Sequence, residues 1–187
     1  LRVTFHGAGH MLGPSSVELV CSPPDSKKPV SLVFTGDLGR FGQPILRDPT
    51  ALPACDYLIT ESTYGGRVHP PTSDLKEQLA DVVKDTIDRG GKIIIPAFSV
   101  GRTQVMVYMM HQLRLEGRIP QIPVFVDSPL AVSATDIFRV HPELFDADAK
   151  QLLRQTGDIL GAEDCTFVRD VEESKRLNTR HGPCVII

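Results

Sequence analysis

The feature that most constrains this chain is a change of grammar near residue 70. Beyond it, short apolar runs of strand length alternate with longer segments of helical period. Residues 74–89 place Leu75, Leu79, Val82, Val83 and Thr86 or Ile87 on one helical face, and Asp74-x-x-Glu77 has the form of a capping box. Gly90-Gly91 stops that helix. A strand is predicted at 92–95, then a helix from about Arg102 to Glu116 with Val105, Met109 and Leu113 on its buried side. Strands at 123–126, 165–168 and the last residues are interleaved with helices at 131–139, 147–155 and 172–178. Parallel strands need long crossovers, and helices supply them, so this part predicts a mainly parallel sheet flanked by helices.

The earlier part reads differently. Four short strands, at 1–5, 17–21, 30–35 and 57–60, are joined by turns and by a Gly/Pro-punctuated connection without clear period. Residues 23–28 suggest a hairpin or a longer loop, and the polar, Pro-containing stretch 64–73 suggests a domain boundary. The expected organisation is a mostly β domain at 1–70 followed by an α/β domain at 71–187. Both chain ends fall inside apparent strands, which reads as a piece excised from something longer.

Composition excludes some classes of function. Twenty basic and 23 acidic residues leave a formal net charge of −3, so any phosphate-attracting surface is local and not spread over the molecule. No apolar run approaches the ~20 residues needed to cross a bilayer, and no signal peptide is evident. The cysteines at 21, 55, 165 and 184 lack the short spacings of zinc knuckles or redox motifs, and they are expected to be free, buried thiols of a reducing compartment.

Three segments each bring a strand to a chemically useful side chain. FHGAGHMLG at 5–13 ends a strand in a glycine-rich loop that presents His10, and imidazole is a good zinc ligand. LVFTGDLGR at 32–40 runs a strand into Asp37, whose carboxylate can bind a metal or cap its own turn. YLITESTYGG at 57–66 ends another strand at Glu61. Strands that deliver such groups at one end suggest a site along a sheet edge.

In this order the three segments resemble the metallo-β-lactamase superfamily, in particular its β-CASP branch of nucleic-acid-processing nucleases. The likeness is greatest to bacterial and archaeal enzymes related to the cleavage-and-polyadenylation endonuclease. IPAFSVGRTQ at 95–104, VDSPLA at 126–131, VEESKRLN at 171–178 and GPCVII at 182–187 extend it over nearly the whole chain. The resemblance implies a partial metallo-β-lactamase αββα sandwich followed by a truncated β-CASP domain. It implies that His10 and Asp37 are metal ligands, Asp37 bridging two zinc ions. It also implies that Glu61 supports a histidine and proton transfer, with Asp37 and Glu61 together as the catalytic residues. Ser128 and the loop before Arg102 would line the cleft between the domains, with Arg102, Ser128, Arg40 and Arg67 contacting substrate.

The departures bear on activity. The family's first signature, His-x-His-x-Asp-His, occurs nowhere here, and the later histidine motifs are missing too. His111, His141 and His181 do not match those motifs and are expected on helix surfaces or loops. Pro14 stands where relatives tend to have a small, flexible residue. The implied activity is zinc-dependent hydrolysis of single-stranded RNA by a cytoplasmic whole protein with no membrane partner. A homodimer is one assembly open to it, and the 187 residues alone are expected to be inactive. Two alternatives stand beside it. One is an RNA-binding or assembly subunit without catalysis, the other a metallo-hydrolase of DNA or of a small ester.

Overall fold

The computed structural model describes residues 1–24, 28–69, 74–161, 163 and 165–187. Parts of the expected loops at 23–28 and 64–73 therefore lie outside the described residues. The chain divides into two compact units, Leu1–Pro70 and Pro71–Ile187. No helix among the described residues is long and apolar enough to cross a membrane.

The first unit is one four-stranded sheet in the order β1-β2-β3-β4, formed by Arg2–Gly7, Ser15–Cys21, Val30–Phe34 and Tyr57–Ile59. β1, β2 and β3 pair antiparallel, whereas β4 joins β3 in parallel. The carboxyl ends of β1, β3 and β4 thus share one edge. Directly paired residues share a face, so the register gathers Val3, Phe5, Val17, Leu19, Leu32, Phe34, Tyr57 and Ile59 on one side. That side is apolar and open: Phe5 is 69% exposed, Tyr57 61% and Ile59 50%. On the opposite face Ser16 and Val33 are fully buried. The connection after β3 holds a buried Ile45 at φ +79°, a conformation that a β-branched side chain rarely adopts.

The second unit is a parallel sheet in the order β5-β8-β6-β7, from Lys92–Ile94, Cys184–Ile186, Val124–Asp127 and Cys165–Val168. Its helices are α1 (Leu75–Asp88), α2 (Arg102–Leu115), α3 (Pro129–Val140), α4 (Ala147–Thr156) and α5 (Val171–Thr179), with a 3-10 turn at Pro142–Leu144. Successive strand residues point to opposite faces, yet Val124, Phe125 and Val126 are all buried, as are Cys184 and Val185. The central strands are therefore covered on both sides. Ser128, Asp146 and Asp170 cap α3, α4 and α5 by accepting backbone N–H bonds from Ala131, Ala149 and Glu172.

Five expectations need correction. α1 buries Ala80 and Val83 while Leu75 and Val82 stand exposed, because the stripe turned to α2 and β5 is displaced from the one that the large residues mark. Asp74 makes no side-chain cap bond: its backbone is already helical, which does not aim the carboxylate at the first-turn amides as an extended N-cap does. α2 is buried nearly all round, from Thr103 and Gln104 through Val107–Met110 to Leu113, with Val105 only half-buried. His111 lies inside this helix's packing at 8% exposure, not on a helix surface, whereas His141 and His181 are exposed. The four cysteines are free, but only Cys165 and Cys184 are buried: Cys21 is exposed and Cys55 half-buried, and burial pushes the Cys165 thiol up to about 12.

His111 borders a cavity of about 20 Å³, room for one water, together with Val107, Met110, Ile119 and Cys165. Burial disfavours its charged form, Arg114 acts in the same direction, and Asp158 opposes them, so the imidazole is held below its usual range. A folded-state value below the unfolded one means that the unfolded chain binds more protons in acid. The contribution is therefore complete above the unfolded value of about 6.5 and is lost as pH falls through the folded value. Denaturant melts at pH 7.5 and 5.5 are expected to show lower stability in acid, and His111→Leu is expected to flatten that dependence. An unchanged slope in the variant would remove His111 from the account.

Candidate metal edge and substrate ledge

In the first unit, three connections leave the shared carboxyl edge of β1, β3 and β4 and meet there. The loop after β1 closes on itself through Ala8 N–H to Pro14 O, 3.1 Å. Gly39, two residues after Asp37, donates its N–H to Ala8 O at 2.8 Å. The approach is so close that a Cβ on Gly39 would sit 1.9 Å from Gly9 O and 2.6 Å from His10 N. Only glycine fits there, and the peptide that carries His10 is pressed against the loop that carries Asp37. Glu61 completes the arrangement from β4: its Oε1 accepts the N–H of Leu38 at 2.9 Å. The residue next to Asp37 is thereby tied to a carboxylate 23 positions away. Thr35 N–H to Ile59 O, 2.9 Å, and Ser16 Oγ–H to Thr35 O, 2.8 Å, lock the end of β3 from both neighbours.

His10 is half-buried and Asp37 exposed, and both are of the donor types that zinc takes. Their number is too small. Among the described residues no three or more His, Cys, Asp or Glu side chains are grouped so as to hold a metal ion, and zinc sites use at least three protein ligands. These two donors do not make up a metal site by themselves, and no catalytic step follows from them alone. Arg40 is exposed one residue beyond Gly39, and Arg67 is exposed in a turn closed by its N–H to Tyr64 O at 3.0 Å. Sequence reasoning did not find the half-buried pair of His6 Nε2 and Glu18 Oε2, 3.1 Å apart across β1 and β2. The pairing register sets His6 opposite Ser16 and Glu18 opposite Thr4, which makes the two diagonal neighbours on one face, and the sequence alone does not give that register.

In the second unit the connections after β5 and β6 meet across the end of β8, which lies between those strands. Ser99 Oγ and Ser128 Oγ are 3.3 Å apart, and Ser128 also accepts the Ala131 N–H at 3.2 Å as the cap of α3. Buried side chains of α2 hold the segment before Arg102. Thr103 Oγ1 donates to Phe98 O at 2.9 Å. Gln104, fully buried, donates from Nε2 to Ser99 O and to Thr135 Oγ1, both at 3.0 Å, and accepts the Gly101 N–H on Oε1 at 2.7 Å. Gly101 turns at φ +84°, which glycine adopts without strain. The result is a rigid ledge that carries Ser99, Ser128 and the exposed Arg102. Sequence reasoning selected Ser128 and Arg102 and missed Thr103 and Gln104, the groups that fix them. Two polar residues following a Gly-Arg pair at a helix start were the available signal.

Residues 103–187 match the Beta-Casp domain family. The whole chain also aligns with curated proteins. It is 34% identical to transcription termination factor FttA of Methanosarcina mazei, spanning 29% of that protein. It is 29% identical to a ribonuclease of Thermus thermophilus and 28% identical to an RNase J-like protein of Methanocaldococcus jannaschii, spanning 42% of each. The chain thus spans less than half the length of these relatives. With a parallel sheet flanked by helices behind it, the matching segment belongs to the Beta-Casp domain family, and the chain as a whole is related to the β-CASP nuclease branch of the metallo-β-lactamase superfamily.

Proposed function

We propose that the whole protein containing this chain hydrolyses phosphodiester bonds of single-stranded RNA with two zinc ions. In this reading Leu1–Pro70 is part of a metallo-β-lactamase domain, and Pro71–Ile187 is a β-CASP domain. The carrying observation is the convergence of the loops after β1, β3 and β4, with the His10 and Asp37 loops in contact through Gly39. His10 and Asp37 are this chain's share of the ligands, and the others belong to segments outside the 187 residues. Zinc bound by such a set polarises a phosphate and lowers the pKa of its water. Glu61 acts here as a positioning residue that holds the Asp37 loop through the Leu38 amide. The open apolar face of the first sheet supports a two-sheet sandwich, since a large contiguous apolar patch marks a surface that something covers. Arg102 and Ser128 are proposed phosphate contacts, with Arg40 and Arg67 secondary to them. The free cysteines suit a cytoplasmic setting. The names of the relatives support RNA as substrate: a ribonuclease and an RNase J-like protein.

A second reading, an RNA-binding factor without cleavage, is favoured by the relative at 34% identity that is named a transcription termination factor. Metal analysis and RNA cleavage by the whole protein separate the two. Asp37→Ala is expected to lose bound zinc together with at least a hundredfold in cleavage rate, on the order of 3 kcal/mol in transition-state stabilisation. Full activity in that variant would overturn the assignment. Gly39→Ala, whose Cβ would collide with the Gly9–His10 peptide, is expected to cost roughly 2 kcal/mol or more in stability and to weaken zinc binding, measured by melts and metal titration. Unaltered zinc affinity would show that the contact between the loops does not organise the ligands.

A further inference from the structure

The ledge in the second unit holds one side chain that phosphate binding does not use. Phe98 is 78% exposed. Its backbone is among the most firmly held in the loop, since Phe98 O accepts both the Thr103 hydroxyl at 2.9 Å and the Thr103 N–H at 3.3 Å. The next carbonyl, Ser99 O, accepts from Gln104, and the Gly101 amide is bound by the same side chain. Thr103 is 2% exposed and Gln104 0%, so these bonds form where competing water is excluded. A loop tip that was merely tolerated would have no use for two buried polar side chains locking its carbonyls. Four residues beyond Phe98, the exposed Arg102 guanidinium forms no ion pair among the described residues.

An exposed aromatic ring on a firmly held backbone, four residues from an exposed guanidinium, has the chemistry that single-stranded nucleic acids select: the ring stacks on a base and the cation meets a phosphate. The backbone beneath the ring is already ordered, so little backbone entropy is lost when a base settles on it. We propose that Phe98 is a nucleobase-stacking residue of the β-CASP unit, which takes one base of a single-stranded RNA whose adjoining phosphate is held by Arg102. The inference rests on the RNA reading of the whole protein and adds to it a base-binding position.

The test uses the intact, metal-loaded protein and a labelled single-stranded RNA, read as equilibrium affinity and as kcat and KM for cleavage. Phe98→Ala and Phe98→Leu are expected to weaken binding and raise KM about five- to hundredfold, the range found for loss of one aromatic–base stack, with kcat little changed. Phe98→Tyr is expected to stay within about twofold of the parent, because it keeps the stacking face. An abasic nucleotide walked along the RNA is expected to reproduce the Phe98→Ala loss at one position and to add nothing in that variant. The exposed ring lies outside the core, and unchanged melts verify that these variants fold. Full affinity in Phe98→Leu would show that the ring serves only as an apolar surface, and full affinity in Phe98→Ala would remove it from the RNA path. Either outcome overturns the stacking inference and leaves RNA cleavage by the parent intact. If the parent neither binds nor cleaves single-stranded RNA, the functional reading fails first and the stacking inference fails with it.

Discussion

The contact between Gly39 and the Gly9–His10 peptide is the constraint on which the first unit's chemistry depends. It is a packing contact with one hydrogen bond, Gly39 N–H to Ala8 O at 2.8 Å, and it tolerates no side chain at residue 39. Its effect is to convert two loops that would otherwise wander independently into one surface. Glu61 then adds a third strand's loop through Leu38. Backbone amides, a carboxylate and a glycine thus do the organising, and the candidate ligands themselves need only be carried.

The second unit solves a similar problem by other means. Its parallel sheet buries β6 and β8 on both faces, which gives a stiff base. The connections after β5 and β6 are not joined by a strand pairing, since β8 lies between those strands. They are joined by a buried amide: Gln104 reaches Ser99 O on one side and Thr135 on α3 on the other. Buried polar networks stabilise only when every member is satisfied, and Gln104 uses both its oxygen and its nitrogen. The exposed groups on the ledge inherit that rigidity.

Most element positions were legible in the sequence because period and glycine placement carry them: the strand at Cys165–Val168 and the helix starting at Arg102 are where the pattern puts them. The buried face of α1 was legible only in part: Val83 is buried as its period predicts, but Ala80 carries almost no hydrophobic signal while the larger Leu75 and Val82 face outward. Helical period marks a stripe, but the neighbouring elements choose which residues it covers. His111 shows the same limit, as a polar residue within a helix that is packed on nearly every side. At the site, the residue types of His10, Asp37 and Glu61 were readable from strand ends. The bond from Glu61 to the Leu38 amide was not, because it joins positions brought together only by the parallel pairing of β3 and β4. Ile45, buried at a positive φ, is a place where burial overrides local preference and sequence gives no warning.

The central claim is that the loops after β1 and β3 present two ligands to one metal centre. A zinc-bound structure of the whole protein tests it most directly. The account predicts a His10 ring nitrogen and an Asp37 carboxylate oxygen each coordinating zinc at about 2.0–2.2 Å, with Glu61 still bound to the Leu38 amide. Zinc held elsewhere, or coordinated with either of those two side chains turned away from it, would contradict the account.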